Sequence, residues 1–337
     1  MSKVTALLGV ILLAFAGWSG WWWIGSTAKQ TALEGWLAER RADGWVAEGE
    51  VRVAGYPNRF DMTVRDLTLA DPAAGWAWAA PEFRTYMLSW EPNRVIADWP
   101  GVHVLSAPGA QVEAEAGRLR ASAAFAPVAT LAIERAVVEA EGLALRSDQG
   151  WEAGLARGQL SVRRSEVERG RANAYDAVLE GSGLRPPEAW RDLFGRGLGE
   201  GLPDEAGRLR LDLTAAMAAP LDRRAVETSD FRAESIWLRP SVLEWGPLRL
   251  EARGRLDMDE FGRPSGRINL TARNWRAMLD AAVAAGALDA NLAEALRSGL
   301  GLLALLSADR ESLEAPLRFS EGMMFLGPVP LGQAPRL

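Results

Sequence analysis

The sequence contains no cysteine among its 337 residues. This excludes disulfide bonds, thiolate nucleophiles and cysteine-based metal or iron–sulfur sites. The chain has one histidine, His103, so metal sites built from several histidines are also excluded. We therefore expect neither a bound metal nor another cofactor.

Lysine is almost missing as well. Lys3 and Lys29 are the only lysines, so arginine supplies nearly all of the 38 basic side chains. A phosphate-binding P-loop needs Gly-Lys followed by Ser or Thr, and Schiff-base chemistry also needs a lysine. The body of the chain offers neither. The formal net charge of −6 argues against nucleic acid as a partner, because that partner requires a basic surface.

Catalytic motifs are missing too. A Ser-His-Asp triad would have to use His103, and no Gly-x-Ser-x-Gly elbow is present. The surrounding Val102-His103-Val104-Leu105 is typical of a strand, which favours a structural or surface histidine. Carboxylates are numerous but have no distinctive spacing. We therefore expect a protein that is not an enzyme, and a hydrolase that uses carboxylates alone stays open.

What the chain does have is an uncharged run at residues 4–24. About 20 apolar residues in a helix match the hydrocarbon core of a bilayer, which is roughly 30 Å thick. Tryptophan collects at membrane interfaces. The run therefore predicts a transmembrane anchor whose interfacial residues are Trp18, Trp21, Trp22 and Trp23.

A cleaved signal peptide is the alternative. Lys3 would be its basic start, and Ser26-Thr27-Ala28 loosely fits a cleavage site. An uncleaved anchor is favoured, because the run is longer than the apolar core of a signal peptide and three indole rings precede the cut. Lys29, Arg40 and Arg41 follow the run, so the positive-inside rule mildly favours a cytoplasmic C-terminus.

Period-two alternation dominates the rest of the chain, as in Leu209, Leu211 and Leu213, with turn residues every 8–12 positions. The pattern predicts a mainly β fold: a large, curved antiparallel sheet that forms a groove, with a few packed helices. The predicted organisation is a transmembrane anchor at 1–26, a membrane-proximal helix at 27–44 and a β domain at 45–337. An internal boundary is expected near 186–205, and a helical hairpin at 274–307.

A group of aromatic residues follows the first strands. Such side chains supply large apolar area with a polar tip, so they suit either a ligand-lining wall or a sheet core. The candidate ligand-lining residues are Trp76, Trp78, Phe83, Tyr86, Trp90 and Trp99.

Several motifs resemble a bacterial envelope family, the domain-of-unknown-function family 2125. The motifs that carry the resemblance are the anchor ending in Trp-Trp, Gly55-Tyr56-Pro57-Asn58-Arg59-Phe60-Asp61, Gly75-Trp76-Ala77-Trp78-Ala79-Ala80-Pro81, Ser89-Trp90-Glu91-Pro92-Asn93-Arg94-Val95-Ile96 and the end from Phe319 to Leu331 with Gly327-Pro328-Val329-Pro330-Leu331. The resemblance implies a single-pass inner-membrane protein with the bulk of its chain in the periplasm, and it brings no catalytic residues. The strand rhythm from Gly246 to Met258 is also similar, more weakly, to AsmA-like envelope proteins.

These observations favour a non-enzymatic envelope protein held in the lipid bilayer. We expect it to bind or pass a lipid-like ligand in a groove of its sheet. The alternative is a structural or scaffold protein whose sheet face binds an envelope protein partner.

Overall fold

The computed structural model describes residues 3–166, 173–195, 198, 201–228, 231–286, 288–304 and 312–336. It opens with one continuous helix, α1 (Lys3–Ala42), which covers both the predicted anchor and the predicted membrane-proximal helix. Gly44 ends it in a left-handed conformation with φ of 88°. The Gly44 N–H donates to the Arg41 carbonyl and the Trp45 N–H to the Arg40 carbonyl, the arrangement of a Schellman C-cap.

The chain divides into two compact units. Unit 1 contains Met1–Ala124 and Leu145–Gly150, and unit 2 contains Phe125–Ala144 and Trp151–Leu337. The glycine-rich stretch around 186–205 lies within unit 2. Strand accounts for 54% of the chain and helix for 24%, which confirms the predicted mainly antiparallel β class with an N-terminal apolar helix and a few other helices.

Unit 1 is built on α1 and seven strands. The strands are β1 (Val46–Ala54), β2 (Arg59–Asp71), β3 (Trp76–Leu88), β4 (Glu91–Asp98), β5 (Val102–Ala107), β6 (Ala110–Glu115) and β7 (Arg118–Phe125). They pair antiparallel in the order β1–β2–β3, and β3 then pairs with both β4 and β5. β4 pairs with β7 and β5 with β6.

The core of unit 1 lies between α1 and the β1–β2–β3 strands. Leu33 and Leu37 of α1 pack against it, while Trp36 is exposed. The buried members of this core are Leu37, Ala47, Val51, Val64, Leu67, Leu69 and Ala80.

Unit 2 holds most of the remaining strands. They are β8 (Ile133–Ser147, whose end belongs to unit 1), β9 (Glu152–Arg164), β10 (Ala174–Arg185), β11 (Arg208–Met217), β12 (Ala233–Trp245), β13 (Leu248–Met258), β14 (Pro264–Arg273), β15 (Ser312–Ser320), β16 (Met323–Leu326) and β17 (Val329–Gln333). From β9 to β17, each strand pairs antiparallel with the next.

Four helices accompany these strands: α2 (Glu188–Gly195), α3 (Arg223–Thr228), α4 (Trp275–Ala284) and α5 (Ala290–Ala304). α4 and α5 fall in the predicted hairpin 274–307, whose last three residues lie outside the described residues. Trp275, Leu296 and Leu300 of these helices pack on Ala272, Leu313, Ala315 and Val329 of the strands. One face of this part of the sheet is therefore covered by helix.

Candidate functional site

The uncharged part of α1 presents large apolar side chains outward, and the helix is long and apolar enough to cross a membrane by length and composition. The four tryptophans predicted as anchor residues divide between two faces. Trp21 and Trp23 are 56% and 67% exposed. Trp18 and Trp22 are four residues apart, hence on one helix face, and that face contacts the β1–β2 turn at residues 55–58.

The β1–β2 turn is held to α1 by hydrogen bonds to its backbone. Trp18 Nε1 donates to the Pro57 carbonyl at 2.9 Å, and Trp22 Nε1 donates to the Arg59 carbonyl at 2.7 Å. The Tyr56 hydroxyl lies 2.8 Å from Ser19 Oγ. Two carbonyl groups in and beside the turn thus accept hydrogen bonds from indole N–H groups.

Phe60 extends this contact along the helix. Its ring stacks on Trp22 with centroids 6.1 Å apart, and the Lys29 ammonium lies 5.4 Å from the ring centroid. A Cβ at Gly25 would lie 2.7 Å from Phe60 Cζ, so the helix can approach only because residue 25 has no side chain. Phe60 and Gly25 were not among the site residues predicted from the sequence. The spacing of Trp18, Trp22 and Lys29 was the available signal.

The structure separates the six candidate ligand-lining aromatics into groups. Trp76 and Trp90 lie at opposite ends of β3, about 14 residues apart, and contact Trp45 and Trp18 respectively, with centroids 5.3 and 6.4 Å apart. Tyr86 lies on β3 beyond Phe83. The ligand-lining role stays a prediction.

The other three aromatics form a cluster with His103. Trp78 and Phe83 are 5.9 Å apart, and Phe83 and Trp99 are 5.4 Å apart. His103 is buried, and Trp78 Nε1 donates to its Nδ1 at 3.1 Å. Burial lowers the pKa of His103, and this outweighs the opposite effect of the Pro100 and Trp99 carbonyl groups. The ring is therefore neutral at pH 7 and is a packing residue with an indole partner.

This burial makes unit 1 sensitive to mild acid. Because the pKa of His103 is lowered in the folded state, the unfolded chain binds a proton first, below its ordinary pKa of 6.5. We expect the free energy of unfolding to fall as the pH drops below about 6.5, by at most about 1.4 kcal/mol per pH unit from this group. Denaturant titrations of the full chain in detergent at pH 7.5 and 5.5 measure it. His103→Gln should show a smaller loss, and an equal loss would contradict the assignment.

Unit 2 contains a buried ionic network on one face of β10, β11 and β12. Asp176 and Thr214 are opposite each other in the ladder and almost fully buried, with 4% and 3% exposed. Thr214 Oγ1 donates to Asp176 Oδ1 at 2.8 Å and accepts from Arg239 Nη1 at 2.5 Å. Arg239 Nε donates to Asp212 Oδ1 at 2.5 Å, and Arg239 Nη1 lies 3.5 Å from Asp176 Oδ1. One guanidinium therefore pairs with two aspartates.

A bulge places Arg239 in this network. The pairing of β11 with β12 shifts between Arg210 and Leu213. Ser241 Oγ bridges the irregularity by donating to the Arg239 carbonyl and accepting from the Asp212 N–H, each at 3.0 Å. The bulge thereby directs the Arg239 side chain back across β11.

The network keeps both aspartates ionised. Burial by itself raises the pKa of Asp176, but hydrogen bonds from Thr214 and Ser165 and the charge of Arg239 outweigh it and hold the pKa below its ordinary value. Burial likewise raises the pKa of Asp212, and Arg239 and Arg210 more than compensate. At neutral pH neither carboxyl group carries a proton to donate, so this cluster lacks a general acid.

The opposite face of the same strands is aliphatic. Side chains that pair directly across an antiparallel ladder share a face. One such row crosses eight strands of unit 2 and consists of Val162, Ala177, Leu213, Leu238, Gly254, Ile268, Leu317 and Leu326. We call this side of the sheet the aliphatic face.

The aliphatic face is covered at one end and open at the other. Leu250 and Ala272 on β13 and β14 lie beneath α4 and α5. On β9 and β11, by contrast, Leu160 and Leu211 are 40% and 37% exposed, and both pair with Leu179 of β10. Part of the aliphatic face is therefore open to solvent at these leucines.

Metal ligands do not come together in the described ranges: no three or more His, Asp or Glu side chains there are placed to hold a metal ion. The arginines that the structure describes are instead paired with carboxylates at many places on the strands, such as Arg59 with Asp61 at 2.7 Å and Arg249 with Glu251 at 2.5 Å. These pairs are partly exposed and suit a solvated sheet face.

Comparisons with known proteins identify the family. Neither the curated proteins nor the solved structures contain a match. The similarity to AsmA-like envelope proteins therefore stays a prediction. A family model described as an uncharacterized protein conserved in bacteria (DUF2125) matches residues 21–335, which include the β1–β2 turn, the ionic network and the aliphatic face. The match confirms the resemblance, and the chain belongs to the DUF2125 family.

Proposed function

We propose that this protein is a non-enzymatic, membrane-anchored envelope protein that binds or passes a lipid-like ligand along the aliphatic face of unit 2. α1 would be the single transmembrane anchor in the inner membrane, with the bulk of the chain in the periplasm. The observation that carries the proposal is the exposed aliphatic surface at Leu160 and Leu211, continuous with a row of aliphatic residues across eight strands.

The distribution of polarity supports an acyl chain as the ligand. The row that defines the aliphatic face has no hydrogen-bond donor on its side chains, and burying apolar surface contributes about 25 cal/mol per Å². Charged side chains such as Arg163 and Asp176 project from the other face, because they alternate in sequence with Val162 and Ala177. A ligand bound on the aliphatic face therefore needs few polar groups.

A matched pair of substitutions on β9 tests the ligand. Leu160→Glu and Gln159→Glu add the same charge at adjacent exposed residues on opposite faces of one strand. We expect the full chain, purified in detergent and analysed by mass spectrometry, to carry co-purified lipid. Leu160→Glu should lower the lipid per chain several-fold, whereas Gln159→Glu should leave it unchanged. Equal lipid in all three chains, or none in the unaltered chain, contradicts the proposal.

The periplasmic placement has its own test. The resemblance of the sequence motifs to an envelope family implies this placement, while the basic residues Lys29, Arg40 and Arg41 after the apolar run favour the other orientation by the positive-inside rule. We expect an alkaline phosphatase fused after Leu337 to be active, because that reporter requires an oxidising compartment. A fused reporter that is active only in the cytoplasm contradicts the placement.

The scaffold role is the second candidate, and the same surface motivates it. A protein partner would cover Leu160 and Leu211 as a lipid would. In that case, crosslinking from residues beside Leu160 recovers one stoichiometric partner, and the purified chain carries no lipid.

A further inference from the structure

The β1–β2 turn contacts α1 inside its uncharged segment. A helix rises about 1.5 Å per residue, so Trp18 lies about 9 Å before Ile24, the end of that segment, when measured along the axis. Because Trp18 Nε1 donates to the Pro57 carbonyl, the turn lies at the same level. From Val4 to Trp18 the helix extends about 21 Å, which is less than the roughly 30 Å of the hydrocarbon core. A bilayer that begins at Val4 would therefore reach at least to the level of the turn.

The exposed side chains at this level are aromatic. Tyr56 is 46% exposed and Trp90, in the β3–β4 turn, is 53% exposed. The two turns are joined, since the Ser89 N–H donates to the Asn58 carbonyl at 3.0 Å. With Trp21 and Trp23 of α1 they form a set of exposed aromatics, the residues that collect where a bilayer meets water.

Backbone N–H and carbonyl groups of the turn make hydrogen bonds within the protein, which suits an environment with little water. An unsatisfied carbonyl group costs several kcal/mol in hydrocarbon. The Pro57 and Arg59 carbonyls accept from indole N–H groups, and the Asn58 and Arg59 N–H groups donate to the Gly55 carbonyl.

We propose that residues 55–58 and Trp90 are inserted in the interfacial layer of the bilayer that α1 crosses. This inference rests on the proposed anchoring of α1. The occupant of this surface is the boundary between headgroups and acyl chains of the same membrane. Insertion at two turns, together with the helix, fixes unit 1 to the membrane through three contacts.

Single cysteines test this insertion, because the chain has none of its own. Asn58→Cys places an environment-sensitive nitrobenzoxadiazole label at the exposed tip of the β1–β2 turn. Ala74→Cys is the matched control in the exposed β2–β3 turn, which β2 separates from residue 58 by about 40 Å at about 3.3 Å per residue. Ile11→Cys reports on α1 itself. Each full-length chain is placed in phosphatidylcholine vesicles that contain nitroxide-labelled lipid.

We expect lipids with a nitroxide near the headgroup to quench the label at residue 58 several-fold more than the label at residue 74. Iodide in the water should quench the label at residue 74 more than the label at residue 58. If lipid quenches the labels at residues 58 and 74 equally but does quench the label at residue 11, the proposed insertion is wrong and the proposed anchoring of α1 is retained. If residue 11 is not quenched by lipid, the anchoring fails and the insertion with it.

Discussion

Replacing Arg239 with methionine should lower the free energy of unfolding by about 3 kcal/mol, the lower end of the range for breaking a buried ion pair, because Asp176 and Asp212 would each lose one of two cations. Asp176 is 4% exposed and would keep only Arg163, which lies 3.5 Å away and is 63% exposed. Asp212 would keep only the Arg210 contact at 2.7 Å. Denaturant unfolding of the full chain in detergent, with hydrogen exchange of the amides in β10 to β12, measures the loss.

Arg255→Met is the matched control. Arg255 lies on the neighbouring strand β13 and pairs with Asp257 at 3.4 Å, with both side chains largely exposed. Exposed ion pairs contribute less than about 1 kcal/mol, so this variant should unfold nearly as the unaltered chain does. Equal losses in the two variants would mean that burial of the network does not set its energy.

The difference in the free energy of unfolding between the unaltered chain and Arg239→Met should become smaller at acid pH. In the unaltered chain the pKa of Asp176 is lowered, so its stabilising contribution is present above the ordinary pKa of 3.8 and is lost as the pH falls through the folded-state value. Without the charge of Arg239, the pKa of Asp176 should be lowered less, so the variant should lose less stability on acidification than the unaltered chain does. Adding Asp176→Asn to Arg239→Met should recover part of the loss at pH 7.

Gly254→Ala should lower the free energy of unfolding by about 3 kcal/mol, the upper end of the usual range for overpacking. A Cβ at Gly254 would lie 2.1 Å from the Arg267 carbonyl oxygen and 2.7 Å from Ile268 Cα, so β13 and β14 would have to separate. These contacts are with backbone atoms, which cannot rotate aside as a side chain does. A Cβ at Gly266 on β14 would likewise lie 2.3 Å from the Arg255 carbonyl oxygen.

Gly181→Ala is the control for this prediction. Gly181 also lies within a strand of unit 2, but a Cβ there would meet Leu155 and Leu209 at 3.5 and 3.7 Å, which are ordinary contacts. This variant should leave the free energy of unfolding unchanged or raise it by up to about 1 kcal/mol. Denaturant titrations of both variants under one set of conditions provide the comparison. A similar loss in both would contradict the close approach at Gly254.

The sequence predicts elements well where a local pattern decides them. The uncharged run predicts an apolar helix, and the period of two predicts strands. It even shows a change of phase in β2, where the buried positions shift from Val64 to Leu67. Asp66, with a left-handed φ of 50°, lies between them, where the pairing of β1 with β2 is irregular. Aspartate tolerates this conformation better than most residues.

The sequence did not predict which side chains meet. Trp76 and Trp90 are close in sequence, yet Trp76 begins β3 and Trp90 lies beyond its other end. Arg239 and Asp176 are 63 residues apart, and Trp18 and Pro57 are 39 apart. No pattern within a helix or strand encodes such contacts.

The sequence by itself thus determined the class of this protein: an apolar helix followed by antiparallel strands, with family motifs along the chain. Only the tertiary structure decided the site geometry. Strand register aligns Val162 with Leu326 in one row through seven successive pairings, and a bulge brings Arg239 to Asp176. The physical reason is that propensity and periodicity act over a few residues, whereas register depends on long-range pairing, and a shift of one residue would move every side chain to the other face.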